Sequence, residues 1–241
     1  MTLLTVSHPS SARSGVPLIP SLSRVMFALL VSAVAGRAQT PAAKLVDSAR
    51  IEIDGAVAAN DSSRLARAVA LLDRSLIAYP DDPYLLHYRG YAGYRQAVDL
   101  FTANRVAAAA PVVERARSDL DKSGAKLPWP ETFALLAAVS GFAIGIDPNR
   151  GMDLGPQIGM LQSQAMQLGP RNPRVWLVGG IAAHHTPPEY GGGADRAREM
   201  LKKALDLFAS DTPGPLAPAW GRDQAAAYLK SLDAGGAKPR Q

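Results

Sequence analysis

The sequence predicts an all-α chain: an α-solenoid of about four antiparallel helix hairpins closed by a C-terminal capping helix. Three observations carry this reading. Ala68, Leu72, Ser75 and Pro80 stand at offsets 0, 4, 7 and 12, and Ala197, Leu201 and Ala204 repeat offsets 0, 4 and 7. Such offsets put their members on one helix face. A small–large–small face lets two antiparallel helices approach closely while the large residue fills the gap between them. Ala165 and Pro170 keep the last interval, and Trp176 and Gly180 follow where a new helix should start. The second observation is composition: 47% of the 241 residues are hydrophobic and only 6% aromatic, so the core is built from Ala, Leu and Val. That mix suits closely packed helices better than a β-sandwich. The third is punctuation, because Pro, Gly and Asn break the text at helix-length intervals from Pro41 onward.

Taken in order, the first helix is expected over 42–59, stopping at Asn60-Asp61-Ser62. Ser62 or Ser63 can cap the second, 64–79, which Pro80 ends. Asp82-Pro83 opens the third, with Pro at the first helical position where its missing N–H costs nothing; it runs to about Ala103. The fourth covers part of 105–122, with Pro111 as a kink or as its true start, and Ser123-Gly124 as its end. Trp129-Pro130 opens the fifth, which ends at Asp147-Pro148-Asn149. The sixth begins at Met152 or Pro156 and ends at Leu168-Gly169-Pro170. Pro173 opens the seventh, Gly191 to Gly193 separate it from the eighth over 194–209, and a ninth runs over 220–232 after the loop DTPGPLAP.

The first forty residues predict export. Val25 to Ala35 is an apolar run behind Arg24, and small residues at Gly36 and Ala38 place signal cleavage after Ala38. The run is about half of the roughly 20 apolar residues that a spanning helix needs, so no stable membrane anchor is expected. The division is therefore a signal segment with a long n-region over 1–38, a helical-repeat domain over 39–233 and a disordered tail over 234–241. The mature chain would be periplasmic or secreted.

Net charge is +5, but Arg13, Arg24 and Arg37 fall within the signal segment and no acidic residue does. The remainder keeps 23 of the 26 basic residues against all 21 acidic ones, interspersed rather than blocked, which argues against nucleic-acid binding. The absence of cysteine excludes disulfides, thiolate metal sites and cysteine nucleophiles.

The small–large–small face with its terminal proline resembles the tetratricopeptide repeat (TPR), a helix–turn–helix unit of about 34 residues that stacks into a solenoid. Pro80 and Pro170 lie 90 residues apart, not a multiple of that unit, so the array is a divergent one. The string PRNPRVWLVGGIAAHHTPPEYGGGADRAREMLKKALDLF, with the later Pro218-Ala219-Trp220-Gly221 and Ala226-Tyr228-Leu229, resembles a group of exported bacterial TPR-like proteins. A more distant likeness is to the periplasmic T-component of TRAP transporters. The chain departs from the pattern at Gln162, where a large apolar residue is expected, at Gly93, where an aromatic is, and at Gly179, where Leu is. The resemblance implies a surface for partners rather than a vessel for chemistry: an exported, non-catalytic scaffold that binds a protein, peptide or small molecule. An accessory role in periplasmic solute transport, with several copies assembling, is the alternative it implies.

Three groups of residues carry candidate sites. Tyr84, Tyr88, Tyr91 and Arg95 recur at 0, 4, 7 and 11 along the third helix. First helices of TPR hairpins line the inner groove, and Tyr and Arg are enriched at interaction hot spots. This stripe is the preferred ligand-facing surface, against the alternative that its rings pack on neighbouring helices. His184, His185 and Glu189 are the one cluster with metal-ligand chemistry, the centre of a metal-dependent hydrolase in a third reading. Adjacent histidines point about 100° apart, however, and are not the i, i+4 pair of a helical zinc site. Imidazoles at a helix C-terminus also serve the terminal carbonyls, so no metal and no cofactor are expected. Gly191-Gly192-Gly193 reads as a tight turn rather than an anion cradle, since no Lys-Ser/Thr follows and Asp195 would repel a phosphate. If the tyrosine stripe is not the working surface, the His184–Gly193 loop is the next choice.

Overall fold

The computed structural model describes residues 41–236; the proposed signal segment and the last five residues lie outside the described residues. Among the described residues, nine α-helices follow one another: α1 (Pro41–Ala59), α2 (Ser62–Ala78), α3 (Pro83–Thr102), α4 (Val106–Lys126), α5 (Pro130–Ile146), α6 (Gly151–Leu168), α7 (Pro173–His185), α8 (Ala194–Phe208) and α9 (Arg222–Gly236). Single 3-10 turns stand at Pro148–Arg150 and Pro188–Tyr190, and no strand occurs among the described residues. The helices pair as α1–α2, α3–α4, α5–α6 and α7–α8, and α9 packs on α8. The architecture is a TPR-like array of four hairpins with a terminal helix.

Helix starts follow the chemistry of the orphaned N–H groups. Asp82 accepts from the backbone of Tyr84 and Leu85, and Asn172 from that of Arg174, each directly before a Pro at the first helical position. Asp61, rather than either serine, caps α2 by accepting from Arg64 N–H at 2.9 Å. Pro111 and Pro156 lie inside α4 and α6, early enough that each removes one backbone bond without splitting its helix.

Ser123-Gly124 does not end α4. Ser123 is buried and its hydroxyl donates to the Pro83 carbonyl at 2.8 Å, while Gly124 lets the Phe133 ring come close. The two residues are packing devices within the last turns, and the helix runs to Lys126. The ninth helix begins two residues later than expected and extends to Gly236.

Helix α3 is the centre of the array, buried on every face from Pro83 to Ala97. Gly90 and Gly93 bring it hard against α4: a Cβ on Gly90 would stand 2.5 Å from Leu120, and one on Gly93 2.8 Å from the Ala116 Cβ. Arg89 locks the same joint with a two-pronged bond to Asp119, both distances 2.7 Å, and adds Asp73 of α2 at 3.1 Å. Asp119 holds the guanidinium's proton affinity above its usual value. The odd-numbered helices touch one another in succession, α1 to α3 to α5 to α7, forming a continuous inner face. Each even helix also packs on the next odd one, with one exception. Helix α6 barely meets α7, and it buries only Leu154 and Ala165.

Candidate functional site

The repeat-pattern residues sit at helix contacts. Ala68, Leu72, Ala165, Ala197, Leu201 and Ala204 are fully buried, and Ser75 is nearly so, its hydroxyl bonded to the Leu71 carbonyl. Gly180 admits Leu201, whose Cγ would stand 3.0 Å from a Cβ there. Pro80 and Pro170 are exposed at the turns, and the Trp176 indole N–H donates to the Pro170 carbonyl at 2.9 Å.

The tyrosine stripe lies on the inner face, but it is not open to a ligand. Tyr84 meets Trp129 edge-on at 5.0 Å, the Tyr88 hydroxyl donates to the Leu216 carbonyl at 2.9 Å, and Tyr91 stacks on Trp220 at 4.6 Å. Burial pushes the Tyr88 and Tyr91 hydroxyls well above their ordinary pKa. Arg95 is half-buried. Period alone places residues on one face; it does not say what covers that face. Here Trp129 covers Tyr84, and residues 211–221, more than a hundred positions away in sequence, cover Tyr88 and Tyr91.

His184 and His185 are exposed at the end of α7 and meet each other and Tyr228 of α9. Tyr228 Oη lies 3.0 Å from His185 Nε2, and partial burial moves that imidazole's pKa down and the phenol's up to about 12. Among the described residues no group of three or more His, Asp or Glu side chains is arranged to hold a metal ion. The three glycines spend their N–H groups within the turn: Gly191 donates to Pro188, Gly192 to Pro187 and Gly193 to Ala183. Gly191 and Gly193 have φ of 82° and 100°, the left-handed region that glycine enters without strain.

The α6–α7 gap leaves a side groove of about 340 Å³. Ala134 and Ala138 of α5 form its floor with Val175, Val178, Gly179, Ala182 and Ala183 of α7. Gly159, Gln162, Ser163, Ala165 and Met166 of α6 line one wall, and Met200 of α8 the other. Thr186, Tyr190, Gly191 and Arg196 stand at the mouth. A Cβ on Gly159, which lines the groove, would meet nothing within 4 Å, so this glycine creates space instead of admitting a neighbouring helix. Met152, Met160 and Leu168 of α6 are exposed. Arg196 is held by Glu199 at 2.8 Å. No lining side chain is a carboxylate or an imidazole.

No family model and no curated protein matches the chain. Its fold is similar to that of the HusA haemophore from Porphyromonas gingivalis, at 21% identity and TM-score 0.63, over 80% of this chain and 96% of that one. A thermophilic TPR protein of Thermus thermophilus is similar at 22% identity and TM-score 0.48, over 77% of this chain and 90% of that one. The first likeness establishes a shared helical fold.

Proposed function

We propose that the chain is an exported, non-catalytic binding protein that holds a small, largely apolar molecule in the side groove between α5–α6 and α7–α8. One observation carries this reading: α6 forms its hairpin with α5 yet leaves its other side unpacked against α7, over walls of Ala, Val, Gly and Met into which Gln162 and Ser163 also project. About 340 Å³ lies at the lower end of ordinary ligand cavities, and apolar walls with a few polar groups among them are their usual composition. Methionine thioethers adapt to ligands of irregular shape. With no acid–base pair in its walls, the groove retains a ligand rather than transforming one. Because HusA is a haemophore, a flat tetrapyrrole is one of the molecules to offer.

Binding is tested by titrating the full chain with the dye 1-N-phenylnaphthylamine, followed by fluorescence, and with haemin, followed by absorbance. Gly159→Leu fills the groove, so it should weaken binding at least tenfold while thermal stability holds or rises. Unchanged binding by the folded variant would place the ligand elsewhere. Export rests on the apolar run over 25–35 and Ala38. It predicts a mature N-terminus near Gln39 in protein from the cell envelope, whereas intact Met1 in the cytoplasm would contradict it.

A further inference from the structure

Residues 211–221 cross the inner face without forming a helix. Residues 214–217 form a turn, closed by Ala217 N–H donating to the Gly214 carbonyl at 3.1 Å, that buries Leu216; beyond it Pro218 and Trp220 are buried and Ala219 exposed, the alternation of a short extended stretch laid on a surface. Its contacts are of three kinds. Asp211 pairs with the buried Arg174 of α7 at 2.6 Å, the Leu216 carbonyl accepts from Tyr88, and the Trp220 indole lies on Tyr91 with 10° between the ring planes. A charge clamp, a side chain reading a backbone carbonyl and an aromatic platform are the means by which folded domains hold extended peptides.

The fit is incomplete. Leu216 has φ 61°, a backbone conformation that strains a bulky residue. The Tyr91 hydroxyl, Trp220 Nε1 and Arg174 Nε, in residues that touch the segment or belong to it, are buried without a hydrogen-bond partner, as are Asp54 Oδ1 and Arg95 Nε and Nη1. Leaving such groups unmatched is costly. Burial also holds the Asp54 carboxyl above the usual range although Arg50 and Arg174 are near. The segment runs in the direction of α3, since Leu216 meets Tyr88 and Trp220 meets Tyr91. One turn further stands Arg95, which makes no ion pair among the described residues, and the segment turns away before reaching it at Gly221, φ 118°.

We propose that the inner face is a peptide-binding surface that the chain keeps closed with residues 211–221. Its partner is a peptide of pattern apolar-x-Pro-x-aromatic followed by an acidic residue, turned at the apolar position and extended from the Pro onward. The first part reproduces the segment's own contacts; the acid reaches Arg95, which the segment leaves unmatched. This surface lies apart from the side groove and does not depend on it.

The test uses fluorescein-labelled peptides and the full chain. One peptide has the sequence of residues 211–221, and a second carries an added Glu after it. Trp220→Ala should open the surface, so this variant binds the first peptide at least tenfold more tightly than the natural chain, and the second more tightly still. Tyr88→Phe added to Trp220→Ala should lose much of that gain, and Arg95→Gln should erase the preference for the acidic peptide. Circular dichroism reports folding, and Leu216→Gly is a second opener should Trp220→Ala unfold. A folded opened variant that binds no better than the natural chain overturns the proposal. Unfolding of both variants also overturns it, because the segment would then be an inseparable part of the core. Peptide-sensitive dimers of the opened variant would replace the foreign peptide with the segment of a second copy.

Discussion

Hairpins α3–α4 and α5–α6 share one plan and differ in how their neighbours close around them. Helix α3 is buried on every face, and its glycines are spent on contact, Gly90 against Leu120 and Gly93 against Ala116. Helix α6 buries two residues, and its glycines at 155 and 159 face open space. A glycine in a helix costs about 0.5–1 kcal/mol relative to Ala. In α3 that cost is offset by close packing. In α6 no close contact offsets it at Gly159, which lines the side groove. The same residue type therefore marks a closed joint in one hairpin and an open one in the other.

The comparison breaks first at the closed joint. Asp119→Ala should leave the Arg89 guanidinium short of its main partner and cost about 3 kcal/mol in chemical denaturation. A loss under about 1 kcal/mol would mean that Asp73 alone satisfies Arg89. Glycine substitutions sharpen it next. Gly90→Ala should overpack against Leu120 and cost about 1–3 kcal/mol, whereas Gly159→Ala should stabilise by about 0.5–1 kcal/mol. Equal effects at the two sites would remove the distinction between the joints.

A pH series tests the closed joint from another side. His87 is fully buried, its Nδ1 2.8 Å from Thr132 Oγ1, and burial lowers its pKa to about 3. The unfolded chain protonates His87 near 6.5 and the folded one only near 3. Between those values the unfolded state binds the extra proton, and stability falls as pH falls. The slope contributed approaches about 1.4 kcal/mol per pH unit. His87→Leu should flatten the stability profile between about pH 6 and 4; an unchanged profile would assign the loss to other groups.

The hairpins were legible because their signals are local. Asp82-Pro83, Asn172-Pro173 and the small–large–small faces act within a turn or two, and the structure uses them as capped starts and tight contacts. The covered inner face was not legible. DTPGPLAPAW reads as a loop, and its three inward residues are too few to announce an extended segment lying on Tyr88 and Tyr91. The side groove left a faint trace, since Gln162 and Gly179, two departures from the repeat pattern, both line it. A missing large side chain is visible in sequence, but whether a neighbour fills the space depends on where the next helix lies.

Amide hydrogen exchange, resolved by helix and run with and without 1-N-phenylnaphthylamine, tests the open joint most directly. The account predicts that α6 exchanges at least roughly tenfold faster than α3 in the free chain, because few buried contacts hold it. It also predicts that α6 and the facing side of α7 slow when the dye binds, with α3 unchanged. Protection of α6 equal to that of α3, with no response to the dye, would contradict it.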